Sequence, residues 1–216
     1  MTDIRPPRIK FCGITRLDDA KHAVEAGAWA LGVILFPGSP RRCDLATAER
    51  IAATQRRQAE VCGVFVNAPL DEVTAIADGI GLTMVQLHGD EGPSYCAEVA
   101  RRTGAKVMKA ARVRTGADVA ALERFHTDLH LLDAHHPERW GGTGETFDWE
   151  LLQRRRTDIP FVLSGGLTPD NVGDAIAATH PSAVDTASGT EASPGIKDPA
   201  KVEAFVEAVQ AAAVVA

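Results

Sequence analysis

Four titratable side chains sit at the ends of apolar runs in this 216-residue chain. Cys12 lies in the run Ile9–Gly13, His88 ends Met84–His88, Asp133 ends Leu129–Asp133 and Asp185 ends Ala183–Asp185. Thiol, imidazole and carboxyl groups take up and release protons, so their gathering at the ends of such runs points to acid–base chemistry. Residues two apart on a strand share a side, which sorts the faces. Ile9 and Phe11 turn one way, Lys10 and Cys12 the other; Val85 and Leu87 oppose Gln86 and His88; Leu131 shares the face of Asp133; Val184 opposes Asp185. Packing alone gives little reason for Lys10, Cys12, Gln86, His88, Asp133 and Asp185 to look the same way. Singly, each has a plainer use. A strand cysteine is a small buried apolar residue, the reading kept for Cys43, Cys62 and Cys96. A strand-end aspartate makes a turn or a cap, and His88 reads better as a hydrogen-bonded pocket histidine than as a proton carrier.

Two glycine turns suggest a place for an anion. Ser164-Gly165-Gly166-Leu167 follows one strand-like run and Ala187-Ser188-Gly189-Thr190 the next. Glycine lets backbone N–H groups approach an anion closely, and a helix start adds a favourable dipole. A third stretch, Gly141-Gly142-Thr143-Gly144, reads either as a flexible lid or as a surface turn.

These residues need a frame. The strand-like runs are 9–13, 31–35, 61–66, 84–88, 106–110, 129–133, 161–164 and 183–185; between and after them lie helical patterns at 17–26, 45–58, 70–80, 93–103, 118–124, 149–156, 169–178 and 199–212. Thr15 reads as the cap of the first helix, Pro169 and Pro199 as first-turn prolines, and Gly27, Gly81 and Gly104 as helix stops. Strands alternating with helices give right-handed βαβ units and a parallel sheet. Eight units in this length predict a closed (β/α)8 TIM barrel forming a single domain over residues 1–216, with the active site at the carboxyl ends of its strands. A doubly wound open sheet fits less well, since the turn Cys12-Gly13-Ile14-Thr15 has no GxGxxG pattern.

Composition narrows the partners. The chain is 45% hydrophobic and 24% charged, with a formal net charge of −6. A mildly acidic globule has no general pull toward nucleic acid or anionic membranes, and no apolar run nears the roughly 18 residues of a membrane span. The N-terminal segment has no apolar signal core, and the four cysteines include no CxxC pair, so reduced thiols and a cytoplasmic location are expected. His135 and His136 are adjacent and would point to opposite faces of a strand, with no ligand set to complete a metal site.

Taken in order, the segments are highly specific. Lys10-Phe11-Cys12-Gly13-Ile14-Thr15, Phe36-Pro37-Gly38-Ser39-Pro40-Arg41, Gly63-Val64-Phe65-Val66-Asn67, Val85-Gln86-Leu87-His88-Gly89, Leu131-Leu132-Asp133, Gly141-Gly142-Thr143-Gly144, Leu163-Ser164-Gly165-Gly166-Leu167 and Ser188-Gly189 with Ser193-Pro194-Gly195 resemble the phosphoribosylanthranilate isomerase family, from residue 10 to about 198. The resemblance implies a (β/α)8 barrel in tryptophan biosynthesis that performs an Amadori rearrangement of N-(5-phosphoribosyl)anthranilate, without metal or other cofactor. It implies Cys12 as general base, Asp133 as general acid and Arg41 as partner of the anthranilate carboxylate. Lys10, Gln86, His88 and Asp185 are expected to line the substrate, and Gly142, Gly165, Gly166, Ser188 and Gly189 to hold its phosphate. Lys10 is placed to favour the Cys12 thiolate. A monomer or homodimer is expected, with a small phosphorylated sugar as the partner. Departures are Gly38 where the family often has Lys, and Thr186-Ala187-Ser188-Gly189-Thr190 where it often has Val-Ser-Ser-Gly-Val. The competing readings are another phosphosugar barrel, such as indole-glycerol-phosphate synthase or a dual-substrate isomerase, and a silent binding module. Dual-substrate isomerases carry aspartate where this chain has Cys12, and a silent module has no need of both Cys12 and Asp133.

Overall fold

The computed structural model describes residues 6–133, 151–152 and 155–215. The eight expected strands are β1 (Arg8–Cys12), β2 (Ala30–Ile34), β3 (Glu60–Phe65), β4 (Met84–Leu87), β5 (Lys106–Arg112), β6 (Leu129–Asp133), β7 (Phe161–Ser164) and β8 (Ala183–Thr186). They form one closed barrel in chain order, and every neighbouring pair, including β1 with β8, is parallel. The helices are α1 (Leu17–Glu25), α2 (Leu45–Gln55), α3 (Leu70–Ile80), α4 (Pro93–Thr103), α5 (Gly116–Ala121), α6 (Val172–Thr179) and α7 (Pro199–Val215). Half of the sixth expected helix, 149–156, lies outside the described residues, and of the rest 151–152 are in a 3-10 turn and 155–156 are in no helix; His135, His136 and Gly142 also lie outside the described residues.

Strand alternation divides the core into two layers. Ile9, Phe11, Val85, Leu87, Leu132, Leu163 and Val184 point outward and pack against the helices. Cys62, Met84, Met108, Ala110, Leu129, Leu131, Val162 and Ala183 fill the barrel interior. This two-sided apolar demand produces continuous hydrophobic runs rather than clean alternation. At the carboxyl ends the interior positions turn polar.

Local signals were mostly realised. Gly81 (φ +74°) and Gly104 (φ +63°) close α3 and α4 in the left-handed conformation. Thr15 does not cap α1; its hydroxyl donates to the carbonyl of Gly195, and Arg16 holds the N-cap position. Pro169 does not begin α6, which starts at Val172. Asn171 turns the chain instead, accepting from the Thr168 N–H at 2.8 Å and donating to the Gly166 carbonyl at 3.0 Å. A two-stranded antiparallel hairpin, β9 (Glu191–Ser193) and β10 (Ile196–Lys197), follows β8 and was not foreseen.

Candidate active site

The floor of the barrel mouth is a buried chain of polar groups from three neighbouring strands. Lys10 Nζ on β1 donates to Asp185 Oδ1 on β8 at 2.7 Å, and Ser164 Oγ on β7 donates to Asp185 Oδ2 at 2.9 Å. The parallel register sets Lys10 directly opposite Asp185. Lys10 is fully buried and Cys12 nearly so. A methyl group on Gly32 would lie 2.8 Å from Cys12 Sγ and 3.1 Å from Lys10 Nζ, so thiol and ammonium flank one point beside β2. Burial pulls the Lys10 pKa down, but Asp185, Cys12 and Cys62 outweigh it and the ammonium is held charged. Burial pushes the Cys12 thiol up; Lys10 and Lys197 pull it down, Asp185 pushes it up, and the net direction is up. The expected help from Lys10 is present, but it does not outweigh burial.

Across the mouth stand Gln86, His88 and Asp133. Gln86 on β4 is buried; its Nε2 lies 2.9 Å from His88 Nδ1, and its Oε1 has no hydrogen-bond partner among the described residues. His88 Nε2 lies 3.5 Å from Asp133 Oδ2 at the end of β6. Asp133 and His88 are therefore brought together, while Cys12 sits three strands away from Asp133 around the ring by way of β8 and β7. A cavity of about 500 Å³ opens on the β3–β5 side, lined among others by Asn67, His88, Lys109, Arg112 and Phe125.

The glycine turns after β7 and β8 meet. Gly165 (φ +106°) and Gly166 (φ +67°) adopt conformations that side chains rarely allow. A methyl group on Gly189 would lie 2.0 Å from the Leu167 carbonyl oxygen, so only glycine lets the two turns touch. Ser188–Thr190 forms a single 3-10 turn there.

Arg41 comes to the same rim by a route the sequence did not show. Its Nε lies 2.9 and 3.0 Å from the two carboxylate oxygens of Glu191, and its Nη2 donates to Glu191 Oε2 at 2.8 Å. Lys197 Nζ donates to the Ala187 carbonyl at 2.8 Å and lies 3.8 Å from Glu191 Oε1. Burial draws the Lys197 ammonium below its usual value, against the upward pull of Glu191, Cys12 and Asp185. Ser164, Glu191 and Lys197 are the polar residues here that sequence reasoning missed. Glu191 and Lys197 belong to a hairpin too short for a periodic signal, and Ser164 opens a turn in which the sequence marks only the glycines. Among the described residues, no group of three or more His, Cys, Asp or Glu side chains is placed to hold a metal ion, and no helix is long and apolar enough to cross a membrane.

Closed parallel barrels whose polar side chains gather at the carboxyl strand ends form the large class of (β/α)8 enzymes, and this chain is one of them. The model of the N-(5'-phosphoribosyl)anthranilate (PRA) isomerase family matches residues 9–208, and the chain belongs to that family. It is 49% identical over 199 residues to the N-(5'-phosphoribosyl)anthranilate isomerase of Citrifermentans bemidjiense, covering 92% of this chain and 95% of the relative. Among solved structures, the phosphoribosylanthranilate isomerase of Thermotoga maritima superposes with a TM-score of 0.84 at 40% identity, covering 95% of this chain and 99% of that one. A second phosphoribosylanthranilate isomerase, solved with reduced 1-(o-carboxyphenylamino)-1-deoxyribulose 5-phosphate, gives a TM-score of 0.81 at 37% identity, covering 95% and 99%.

Proposed function

We propose that this protein isomerises N-(5-phosphoribosyl)anthranilate to 1-(2-carboxyphenylamino)-1-deoxyribulose 5-phosphate, with Asp133 as general acid and Cys12 as general base. The observation that carries the reading is that both residues face inward at carboxyl strand ends, on separate sides of one mouth. Family membership supplies the substrate. Asp133 gives a proton to the ribose ring oxygen as the C1–O bond breaks and the anthranilate nitrogen forms a C1=N bond. The Cys12 thiolate then takes the proton from C2; that electron pair becomes the C1=C2 bond, and the C=N pair returns to nitrogen. The enolamine gains a proton at C1 and loses one from its C2 hydroxyl to give the ketone. Cys12 must be ionised to act, and Lys10 and Lys197 are the cations that favour it.

In this reading the backbone of Gly165, Gly166, Ser188 and Gly189 receives the phosphate, Arg41 meets the anthranilate carboxylate, and Gln86, His88, Lys10 and Asp185 line the sugar. Gly142 belongs to the phosphate set on sequence grounds alone. The chain acts as one barrel domain on a small molecule, and its four free cysteines fit a reducing cytoplasm.

The test generates substrate in situ and follows the loss of its anthranilate fluorescence. Purified protein should speed the loss, and Cys12→Ala and Asp133→Asn should each slow it by about 10²–10⁴-fold or more, the usual contribution of a positioned acid or base. A folded wild-type protein that leaves the spontaneous rate unchanged would remove the isomerase reading. A variant that keeps its rate would remove that residue's role alone.

A further inference from the structure

A guanidinium has two donor forks: side-on, from Nε and the nearer N–H of Nη2, and end-on, from Nη1 and Nη2. In Arg41 the side-on fork is filled by Glu191, through contacts of 2.8 to 3.0 Å. The end-on fork has no hydrogen-bond partner among the described residues, and the Arg41 side chain keeps 24% of its exposure. Glu191 is only 4% exposed and is held independently: its Oε1 accepts the Gly195 N–H at 3.2 Å and lies 3.8 Å from Lys197 Nζ. The Arg41 stem packs on the turn after Cys12, where a methyl group on Gly13 would stand 3.0 Å from its Cδ.

We infer that Glu191 is the positioning residue that aims Arg41, locking its side-on fork so that its end-on fork meets the substrate carboxylate. The inference rests on the carboxylate role given to Arg41 above. A long side chain on a loop samples many rotamers, and fixing it beforehand removes an ordering cost from binding. Glu191 directly follows the Ser188–Thr190 turn, so one short segment carries the turn given to the phosphate and the residue that orients the carboxylate reader. The spacing between the substrate's two anionic ends is then set by this segment.

Charge alone makes the opposite demand. Replacing Glu191 by a neutral residue makes the rim more positive, which should tighten the binding of a ligand that carries both a phosphate and a carboxylate; loss of aim should weaken it. Arg41→Lys comes first. It should weaken binding of reduced 1-(o-carboxyphenylamino)-1-deoxyribulose 5-phosphate, and spare the counterpart that lacks the ring carboxylate. If it spares both, the carboxylate role of Arg41 fails. Given that it discriminates, Glu191→Gln should raise KM about tenfold with kcat changed less than about threefold, the pattern of a lost binding interaction. It should weaken the carboxylated analogue by a similar factor, leave the decarboxylated one within about twofold, and add less than about twofold in an Arg41→Lys background. Tighter or unchanged binding, or equal weakening of both analogues, overturns the proposal.

Should Glu191→Gln not fold, the wild-type protein still decides. The Arg41 Nε–H should give a slowly exchanging NMR resonance that persists when the carboxylated analogue binds. Its loss on binding would mean that the ligand displaces Glu191, and the proposal falls.

Discussion

Two buried lysine–carboxylate pairs stand on opposite sides of this barrel, and they do different things with the same chemistry. Lys10–Asp185 spans 2.7 Å between β1 and β8, and Lys109–Glu91 spans 2.9 Å from β5 to the loop after β4. Lys109 is saturated: besides Glu91 it donates to the carbonyls of Gly89 at 2.6 Å and Leu87 at 3.3 Å. Glu91 in turn accepts the N–H groups of Asn67 at 2.7 Å and Gly89 at 2.9 Å. That pair is a staple tying the β3 and β4 loops. Lys10 donates to Asp185 and has the Cys12 thiol, not a backbone carbonyl, as its other close polar neighbour among the described residues. Both ammonium groups have cysteine neighbours: each lowers the thiol pKa, Lys10 for Cys12 and Lys109 for Cys96, and burial raises both thiols regardless. The first pair keeps a thiol as its other neighbour where chemistry is proposed, and the second is filled by backbone carbonyls that hold loops.

The largest expected effect separates these roles. Lys10→Met should cut turnover at least 100-fold, within the usual range for groups that support a general base. It should also cost about 3–5 kcal/mol by stranding Asp185. Lys10→Met with Asp185→Asn should regain most of the stability in a thermal melt and none of the activity. Restored turnover in the double variant would show that the pair serves only the fold. Next, Lys109→Met should lower the melting temperature by roughly 10 °C, from about 3–5 kcal/mol spread over a chain of this size, with kcat at 25 °C changed less than about threefold. A kinetic loss as large as that of Lys10→Met would erase the contrast.

A smaller effect comes from pH. Burial holds the Cys62 thiol at about 12 and Cys96 at about 11, and burial with Asp44 nearby holds Cys43 at about 12. In the unfolded chain these thiols lose protons from about pH 8.5, so the unfolded state binds fewer protons and stability falls as pH rises from there toward 11–12. Melting temperatures measured from pH 8 to 11 should decline, and the decline should be shallower in Cys62→Ala. The smallest effect belongs to the exposed analogue of these pairs. Glu98 contacts Arg101 at 2.6 Å and Arg102 at 2.7 Å on the surface of α4, and solvent screens both. Glu98→Gln should leave melting temperature and activity where they are.

The staple and the Lys10–Asp185 pair were unequally legible. Lys10 and Asp185 each fell on an inward strand face beside a motif, so alternation alone put them in the site. Glu91 and Lys109 carried no signal: Glu91 lies in the loop after β4, held through its own carboxylate, and Lys109 shares the outward β5 face of Val107, away from the barrel interior. The same limit explains the rim. Arg41 was found as a motif residue, but its partner is 150 positions away on a hairpin of three and two residues. Thr15 looked like a cap because local rules see four residues at a time, whereas its hydroxyl answers to Gly195, 180 positions on. The eight strands were readable because burial on both faces leaves long apolar runs that no loop can imitate.

The Lys10–Asp185 bond is also the seam of the cylinder. It joins the first and last barrel strands across 175 residues, and β1 has no second neighbour until β8 arrives. Contacts this distant in sequence are slow to form. A growing chain holding the first seven strands has its thiol and its lysine in place with no carboxylate to answer them. On the proposed role of Lys10 and Asp185, catalytic competence arrives with closure, and an activity assay on refolding protein should follow the shutting of the ring.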